Sequence, residues 1–425
     1  MLEGNRYLFF LKTGIGVLLS AVFGLVLIKI IAVRYGPELL GEFGLYRQYL
    51  QVLTVLLTFG NGFALIEAVS KNKEKVIPIG SYLLYYLIAI AILSLLHVLI
   101  APIVGGQIFD VEMARLVWVM PLTFVGLGLF HFVRSSLSGF LFSTPASLLQ
   151  SLPFLIMSIM VFFMGDLPFV FMVAYLVSFL LCFIYALPKL QVSWKLRWQR
   201  DVLFEKTSVS TILTGIAGFV SLFVVKYYTK EVLGIEYNGY LEANWSLGAY
   251  SNLIVLNGLS LFYLPLLSKL EGAEQAQFMR QIFRLVGFAS TLILLPLLLF
   301  HNLIFEILFS PEIAEYSHLF CYVAVAEIFR SYSWFFIFSF LSLSLKKRYI
   351  FIDLFCNSLF AIAALLMLNA KWQMQGVLLA YVLFQVVYFV ANIVWFPVKK
   401  TIGYQHLGLA ILNVIAFLAL SHYIT

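Results

Sequence analysis

The sequence predicts an all-α integral membrane protein, on three observations. Of its 425 residues, 63% are hydrophobic and only 11% charged, whereas soluble domains run near half apolar and about a quarter charged. The apolar residues gather in runs long enough for a helix to cross a bilayer, about 20 residues each. Between the runs lie glycine and proline breakers and short loops whose charge alternates in sign. Spans of this kind use up the whole length and leave no stretch for a soluble domain. No GxxxxGK[ST] phosphate loop is present, which excludes a P-loop nucleotide hydrolase.

Setting apolar runs against breakers places spans at 7–33, 42–70, 77–101, 112–142, 146–165, 168–188, 203–230, 240–268, 278–308, 314–343, 348–369 and 376–397. Gly36-Pro37, Pro78, Pro102, Pro145, Pro168, Pro188 and Pro311 stand at or near their ends. The first run has no small-residue cleavage site and is too long for a signal peptide, so it is expected to stay as a span. The tail from Leu407 to Ile424 is apolar again, a short thirteenth span or an interfacial segment.

Basic residues are retained on the cytoplasmic side of a membrane. Lys71, Lys73 and Lys75 mark the second loop. Lys189, Lys195, Arg197, Arg200 and Lys206 mark the sixth, Lys346, Lys347 and Arg348 the tenth, and Lys399 and Lys400 follow span 12. The odd-numbered loops carry acids instead: Asp110 and Glu112, Asp166, and Glu306, Glu312 and Glu315. This alternation predicts twelve spans with a cytoplasmic N-terminus. The sixth loop is the longest polar segment. It predicts an N-terminal lobe over 1–190, an interlobe loop over 191–202, a C-terminal lobe over 203–400, and the tail 401–425. A faint repeat supports the division: Lys29…Gly36…Gly41 near span 1 and Lys226…Gly234…Gly239 near span 7, the glycines 198 residues apart. Parallel six-span repeats are a transporter plan, with substrate held between the halves.

Cations inside apolar runs are the clearest functional signal. A charge at mid-membrane costs roughly 2.5–3.5 kcal/mol on insertion scales and is seldom kept without a task. Lys29, Arg47, Arg134, Lys226 and Arg330 are the candidates to bind an anionic substrate such as a diphosphate, which cannot cross hydrocarbon alone. Lys29, Arg47 and Lys226 are predicted to share one layer in the outer half of the membrane, with Arg134 nearer the inner end of span 4. Plainer roles compete. Lys29, Arg47 and Lys226 are near enough to helix ends to snorkel, and Arg330 has Glu327 three residues earlier on the same face. The acids Glu242, Glu327 and Asp353 are coupling or structural candidates, Asp353 with Lys346, Arg348 or a bound cation as partner. Tyr46, Asn61, Tyr240, Asn244 and Trp245 lie on the same spans and suit sugar rings, although aromatics make up 17% of the chain and most of them must simply pack or face lipid. Enzymatic chemistry finds no support: the six histidines are scattered without metal-ligand spacing and there is no GxSxG elbow. Cys182, Cys321 and Cys356 are expected to be inert buried thiols. No cofactor, metal or nucleic-acid partner is expected.

Three stretches carry a family resemblance: Lys29 to Gly41 (KIIAVRYGPELLG) with Arg47-Gln48 behind it, Leu264 to Leu270 (LPLLSKL), and Glu327-Ile-Phe-Arg330 running on to Arg348-Tyr349 and Asp353. Together they resemble the Wzx-type oligosaccharide-lipid flippases, nearest those for lipid III and enterobacterial common antigen, within the multidrug/oligosaccharidyl-lipid/polysaccharide (MOP) exporter superfamily. The resemblance implies a MATE-like fold, two six-helix lobes in a V around a central cationic cavity. It also implies export of undecaprenyl-diphosphate-linked oligosaccharide from the inner to the outer leaflet of the bacterial inner membrane, for O-antigen, common antigen or related polysaccharide synthesis. A polysaccharide polymerase and a chain-length regulator would be partners beside the membrane lipids, and the membrane potential, Na⁺ or H⁺ would couple. The matching positions Lys29, Arg47 and Arg330 inherit the suggestion of cavity lining. Two departures, Glu242 where an amide is expected and the apolar tail after Lys400, bear on the glycan rather than on the fold. The alternative is a multidrug or cation antiporter of the same superfamily, which would want buried acids in its first lobe.

Overall fold

A chain in hydrocarbon must satisfy its backbone internally, and a helix does so segment by segment. Every element among the described residues is helical. The computed structural model describes residues 3–58, 65, 79–103, 113–139, 143–188, 206–267, 270–343, 345–398 and 401–424. The long helices are α1 (Glu3–Thr58), α2 (Ile79–Ile103), α3 (Met113–Gly139), α4 (Leu152–Phe163), α5 (Leu167–Ala186), α6 (Lys206–Leu233), α7 (Ile235–Gly258), α8 (Gly272–Leu299), α9 (Phe320–Ser342), α10 (Lys346–Asn369), α11 (Gln373–Trp395) and α12 (Tyr404–Ile424). Among the described residues, ten helices are long and apolar enough to cross a membrane. One of them is α1, whose apolar part from Gly14 to Thr58 is 45 residues, enough for two crossings about an internal bend. The protein is a multi-pass membrane protein. The basic-loop residues 71, 73, 75, 189, 195, 197, 200, 399 and 400, the acids 110 and 112, Asn61 and the interlobe loop 191–202 lie outside the described residues.

Two expected loops are single residues. Spans 1 and 2 were expected to end and begin at 33 and 42, and span 8 to begin at 240. Instead α1 bends at Gly36 (φ 83°) with Pro37 opening its second half, and α6 passes to α7 through Gly234 (φ 110°). A left-handed residue turns the chain in one step, glycine bears it without strain, and proline suits a first helical turn. Residues Ile235 to Gly239, before the expected start of span 8, already belong to α7.

Packing divides the chain into two units, Met1–Ile31 with Glu42–Phe223, and Ala32–Gly41 with Val224–Thr425. These borders differ from the expected lobe limits of 190 and 203. The first turns of α6 belong to unit 1, where Gly215 meets Val55 and Gln48 Nε2 donates to Phe219 O at 3.1 Å. The segment Ala32–Gly41 joins unit 2 through the elbow glycines. A Cβ on Gly41 would overlap Ile235 O and one on Gly239 would overlap Pro37 O, while Asn238 Nδ2 donates to Gly41 O at 3.0 Å. The two glycine pairs that suggested a repeat therefore pack against each other.

In unit 1, α3 runs along α2 and α5, and α4 packs on α5. Tyr82, Tyr86, Phe130, Phe132, Leu137 and Cys182 form its buried core. In unit 2, α9 is the central helix, 89% of its span buried, against α7, α8 and α11. Phe283, Phe335, Phe336, Phe389 and Phe396 meet edge to face or at a tilt along it. The apolar tail forms α12, 21 residues and about 31 Å long. It runs alongside α8 in the same direction, since Arg280 Nη1 donates to Thr401 O at 3.2 Å and Thr291 pairs with Asn413 further along. Its apolar part, Tyr404–Ala419, is shorter than the ten helices long enough to cross a membrane.

Candidate functional site

The charged side chains singled out by sequence fall into two environments. In unit 1, Lys29 is exposed on α1. Arg47 is half-buried on the second half of α1, its guanidinium 5.6 Å from the centre of the Phe43 ring. Its neighbours are tied down: Tyr46 OH donates to Met120 Sδ at 3.2 Å, and Tyr49 OH bonds His97 Nδ1 at 3.0 Å. Arg134 is half-buried on α3 between apolar residues of the unit 1 core. Tyr86, His131, Tyr175 and Cys182 lie close enough to act on it electrostatically. No carboxylate pairs with Arg134 among the described residues, and its buried Nε finds no acceptor among them.

In unit 2 the cations are already neutralised. Lys226 is only 1% exposed and forms an ion pair with Glu242, which is fully buried and accepts from Ser246 Oγ at 2.6 Å. Snorkelling was one expectation for Lys226; the ammonium instead turns inward, because its acid lies one helix away on α7. Its Nζ stands 5.6 Å from the Trp245 ring centre, and Trp245 meets Tyr381 edge to face at 5.5 Å. Tyr381 OH donates to Glu327 Oε1 at 2.9 Å. Arg330 Nη1 donates to the same oxygen at 2.8 Å, so the pair read from their spacing is present. Asn252 Nδ2 donates to Glu327 Oε2 at 3.1 Å and is shared with Ser331. One chain of contacts thus runs from Lys226 through Trp245 and Tyr381 to Glu327 and Arg330.

Asp353 is held by Tyr388, whose hydroxyl donates to Oδ1 at 2.5 Å, and not by Arg348. Arg348, five residues away, sits on another helix face and donates to Trp395 O at 2.9 Å; the side chain of Lys346 lies outside the described residues. Sequence reasoning missed Ser246, Asn252, Ser331, Tyr381 and Tyr388. The signal was present as a polar stripe on α7 (Asn238, Glu242, Ser246, Asn252) and as Tyr381 and Tyr388 two turns apart on α11. All three cysteines are buried free thiols. Among the described residues no cluster of three His, Cys, Asp or Glu side chains could hold a metal ion.

No protein-family model and no curated protein matches the sequence. Solved structures do. A MATE-family multidrug resistance transporter of the MOP superfamily, inward-facing, aligns with TM-score 0.68 and 11% identity over 95% of both chains. An outward-facing MATE transporter aligns with TM-score 0.65 and 13% identity over 96% of both. The lipid II flippase MurJ, inward closed, aligns with TM-score 0.68 and 14% identity over 96% of this chain and 91% of its own. Identities this low carry the fold alone: the chain has the all-α architecture that MATE transporters and the lipid II flippase share, the MOP-type fold.

Proposed function

We propose that the protein is a flippase that moves undecaprenyl-diphosphate-linked oligosaccharide from the inner to the outer leaflet of the bacterial inner membrane by alternating access, for O-antigen, common antigen or related polysaccharide synthesis. The observation that carries this reading is Arg134. A guanidinium among apolar helices needs an anion, and the described chain supplies none. A pyrophosphate fits the requirement, because a planar fork binds phosphate oxygens bidentately. Lys29 and Arg47 are the further cationic stations. Lys226 and Arg330 take part only when Glu242 and Glu327 release them, which makes those acids, with Asp353, candidates for coupling to Na⁺ or H⁺. Phosphate charge moving outward is favoured by an inside-negative potential, about 2.3 kcal/mol per charge per 100 mV across the whole field. The polyprenyl tail stays in lipid while the glycan crosses. A polymerase and a chain-length regulator would take up the product.

The MATE neighbours supply the rival, a multidrug antiporter. Such a protein needs acids open to cationic drugs. Here Glu242, Glu327 and Asp353 are engaged by Lys226, by Arg330 with Tyr381, and by Tyr388. Arg134→Glu and Arg47→Glu are expected to abolish export while leaving the protein in the membrane at normal abundance. Full export in both variants would remove the electrostatic basis of the proposal.

A further inference from the structure

A cleft of about 260 Å³ opens within unit 2 between α8, α9 and α12. Arg284 and His406 stand at one end of it, Phe283, Phe288, Leu409 and Ala410 form its walls, and Thr291, Tyr332 and Asn413 its floor. No carboxylate lines it. Arg284 is exposed, and it and Arg280 lie close enough to His406 to act on it electrostatically. The buried Nδ1 of His406 has no hydrogen-bond partner among the described residues. The walls stay open to the surroundings of the helix layer: Phe288 is 67% and Leu409 58% exposed. Asn413 Nδ2 donates to Thr291 Oγ1 at 2.9 Å and lies 3.4 Å from Tyr332 OH, so the floor holds polar groups in a fixed array.

The depth of these groups matches one kind of molecule. His406 is in the first turn of α12, and Arg280 reaches Thr401 just before that helix, so the cationic end lies at the level where α12 begins. Thr291 and Asn413 are each seven residues further on, about 10 Å along the axis. A phospholipid presents the same order: a phosphate at the interface, ester oxygens a few ångströms deeper, then acyl chains. The geometry points to a headgroup site for an anionic phospholipid of the bilayer, phosphate on Arg284 and His406, ester oxygens toward Asn413 and Tyr332, and acyl chains along Phe288 and Leu409. Charge complementarity selects an anionic over a zwitterionic lipid, because Arg284 lines the site, Arg280 lies close to its His406, and no acid is among its lining residues. The site holds α12 against α8 and is separate from Arg134 and from the Lys226 network, so it stands whether or not the flippase reading does.

The test uses the purified full-length protein in detergent, titrated with phosphatidylglycerol and, separately, with phosphatidylethanolamine, with bound lipid counted by native mass spectrometry. Wild type is expected to bind phosphatidylglycerol at least tenfold tighter than phosphatidylethanolamine. Arg284→Gln is expected to weaken phosphatidylglycerol roughly tenfold (~1.4 kcal/mol), and Ala410→Trp, which fills the cleft and keeps both cations, to abolish that binding. Arg284→Gln alters an exposed side chain, so the test stays decisive even if Ala410→Trp does not fold. Equal affinity for the two lipids, or unchanged phosphatidylglycerol binding in Arg284→Gln, would overturn the assignment. So would displacement of phosphatidylglycerol by sub-stoichiometric undecaprenyl phosphate, which would make the occupant a carrier lipid instead.

Discussion

Replacing Glu242 by Gln isolates the buried ion pair of unit 2. The substitution keeps the shape and leaves an oxygen for Ser246 Oγ, which donates to Glu242 at 2.6 Å. It strands the Lys226 ammonium at 1% exposure against a neutral amide. Removing one member of a buried pair costs about 3–5 kcal/mol. The Trp245 face, 5.6 Å from the nitrogen, remains and returns about 1–2 kcal/mol. The expected destabilisation is therefore about 2–4 kcal/mol, bounded because neutralising an ordinary lysine at pH 7 takes about 4.6 kcal/mol. Lys226→Met is expected to cost about 3–5 kcal/mol, since the buried Glu242 carboxylate loses its counter-charge. The double variant Lys226→Met with Glu242→Met removes both charges and is expected near or above wild-type stability. Equilibrium unfolding of the purified variants in one detergent measures all three. Single variants within about 1 kcal/mol of wild type, or a double variant equal to the sum of the singles, would refute the claim that these two charges compensate each other.

Further outcomes follow from the same geometry. Gly41→Ala and Gly239→Ala place a methyl group on the backbone carbonyls of Ile235 and Pro37, which cannot swing aside, so each is expected to cost about 3 kcal/mol or more in the same unfolding assay. Gly14→Ala, with open space around it, is the control and is expected to be neutral. Tyr381→Phe removes one donor from Glu327 but leaves Arg330 and Asn252, so a loss of about 1–2 kcal/mol is expected, less than for Arg330→Ala, which strands the carboxylate. Tyr388→Phe is expected to destabilise by about 1.5–3 kcal/mol, with Asp353→Asn cancelling most of that loss in the double variant.

Much of the architecture could be read from composition and breakers, because apolar runs of crossing length have one stable backbone solution in lipid. Each of the twelve expected spans overlaps a described helix, spans 1 and 2 both falling on α1, and Glu327 with Arg330 could be paired from spacing because they share one helix face. Contacts that join distant helices were not legible. Lys226 and Glu242 sit on different helices, and periodicity within either one says nothing of the other. Asp353 and Tyr388 meet for the same reason, although basic residues nearer in sequence looked like better partners. The glycine pairs were visible as a faint repeat, but that they pack against each other needed coordinates. That Gly234 is an elbow was not legible either, because the polar residues after it carry no apolar run, while α7 buries its amides and Glu242 inside unit 2.

The most direct test is transport by the purified protein in liposomes loaded with a labelled undecaprenyl-diphosphate oligosaccharide, with the label made accessible to an external glycosidase only after crossing. The account predicts faster exposure than in protein-free liposomes, further acceleration when the potential favours movement of negative charge in that direction, and no acceleration with Arg134→Glu. Protein-free rates with the wild-type protein, alongside accumulation of a cationic dye in the same vesicles, would contradict it and favour the antiporter.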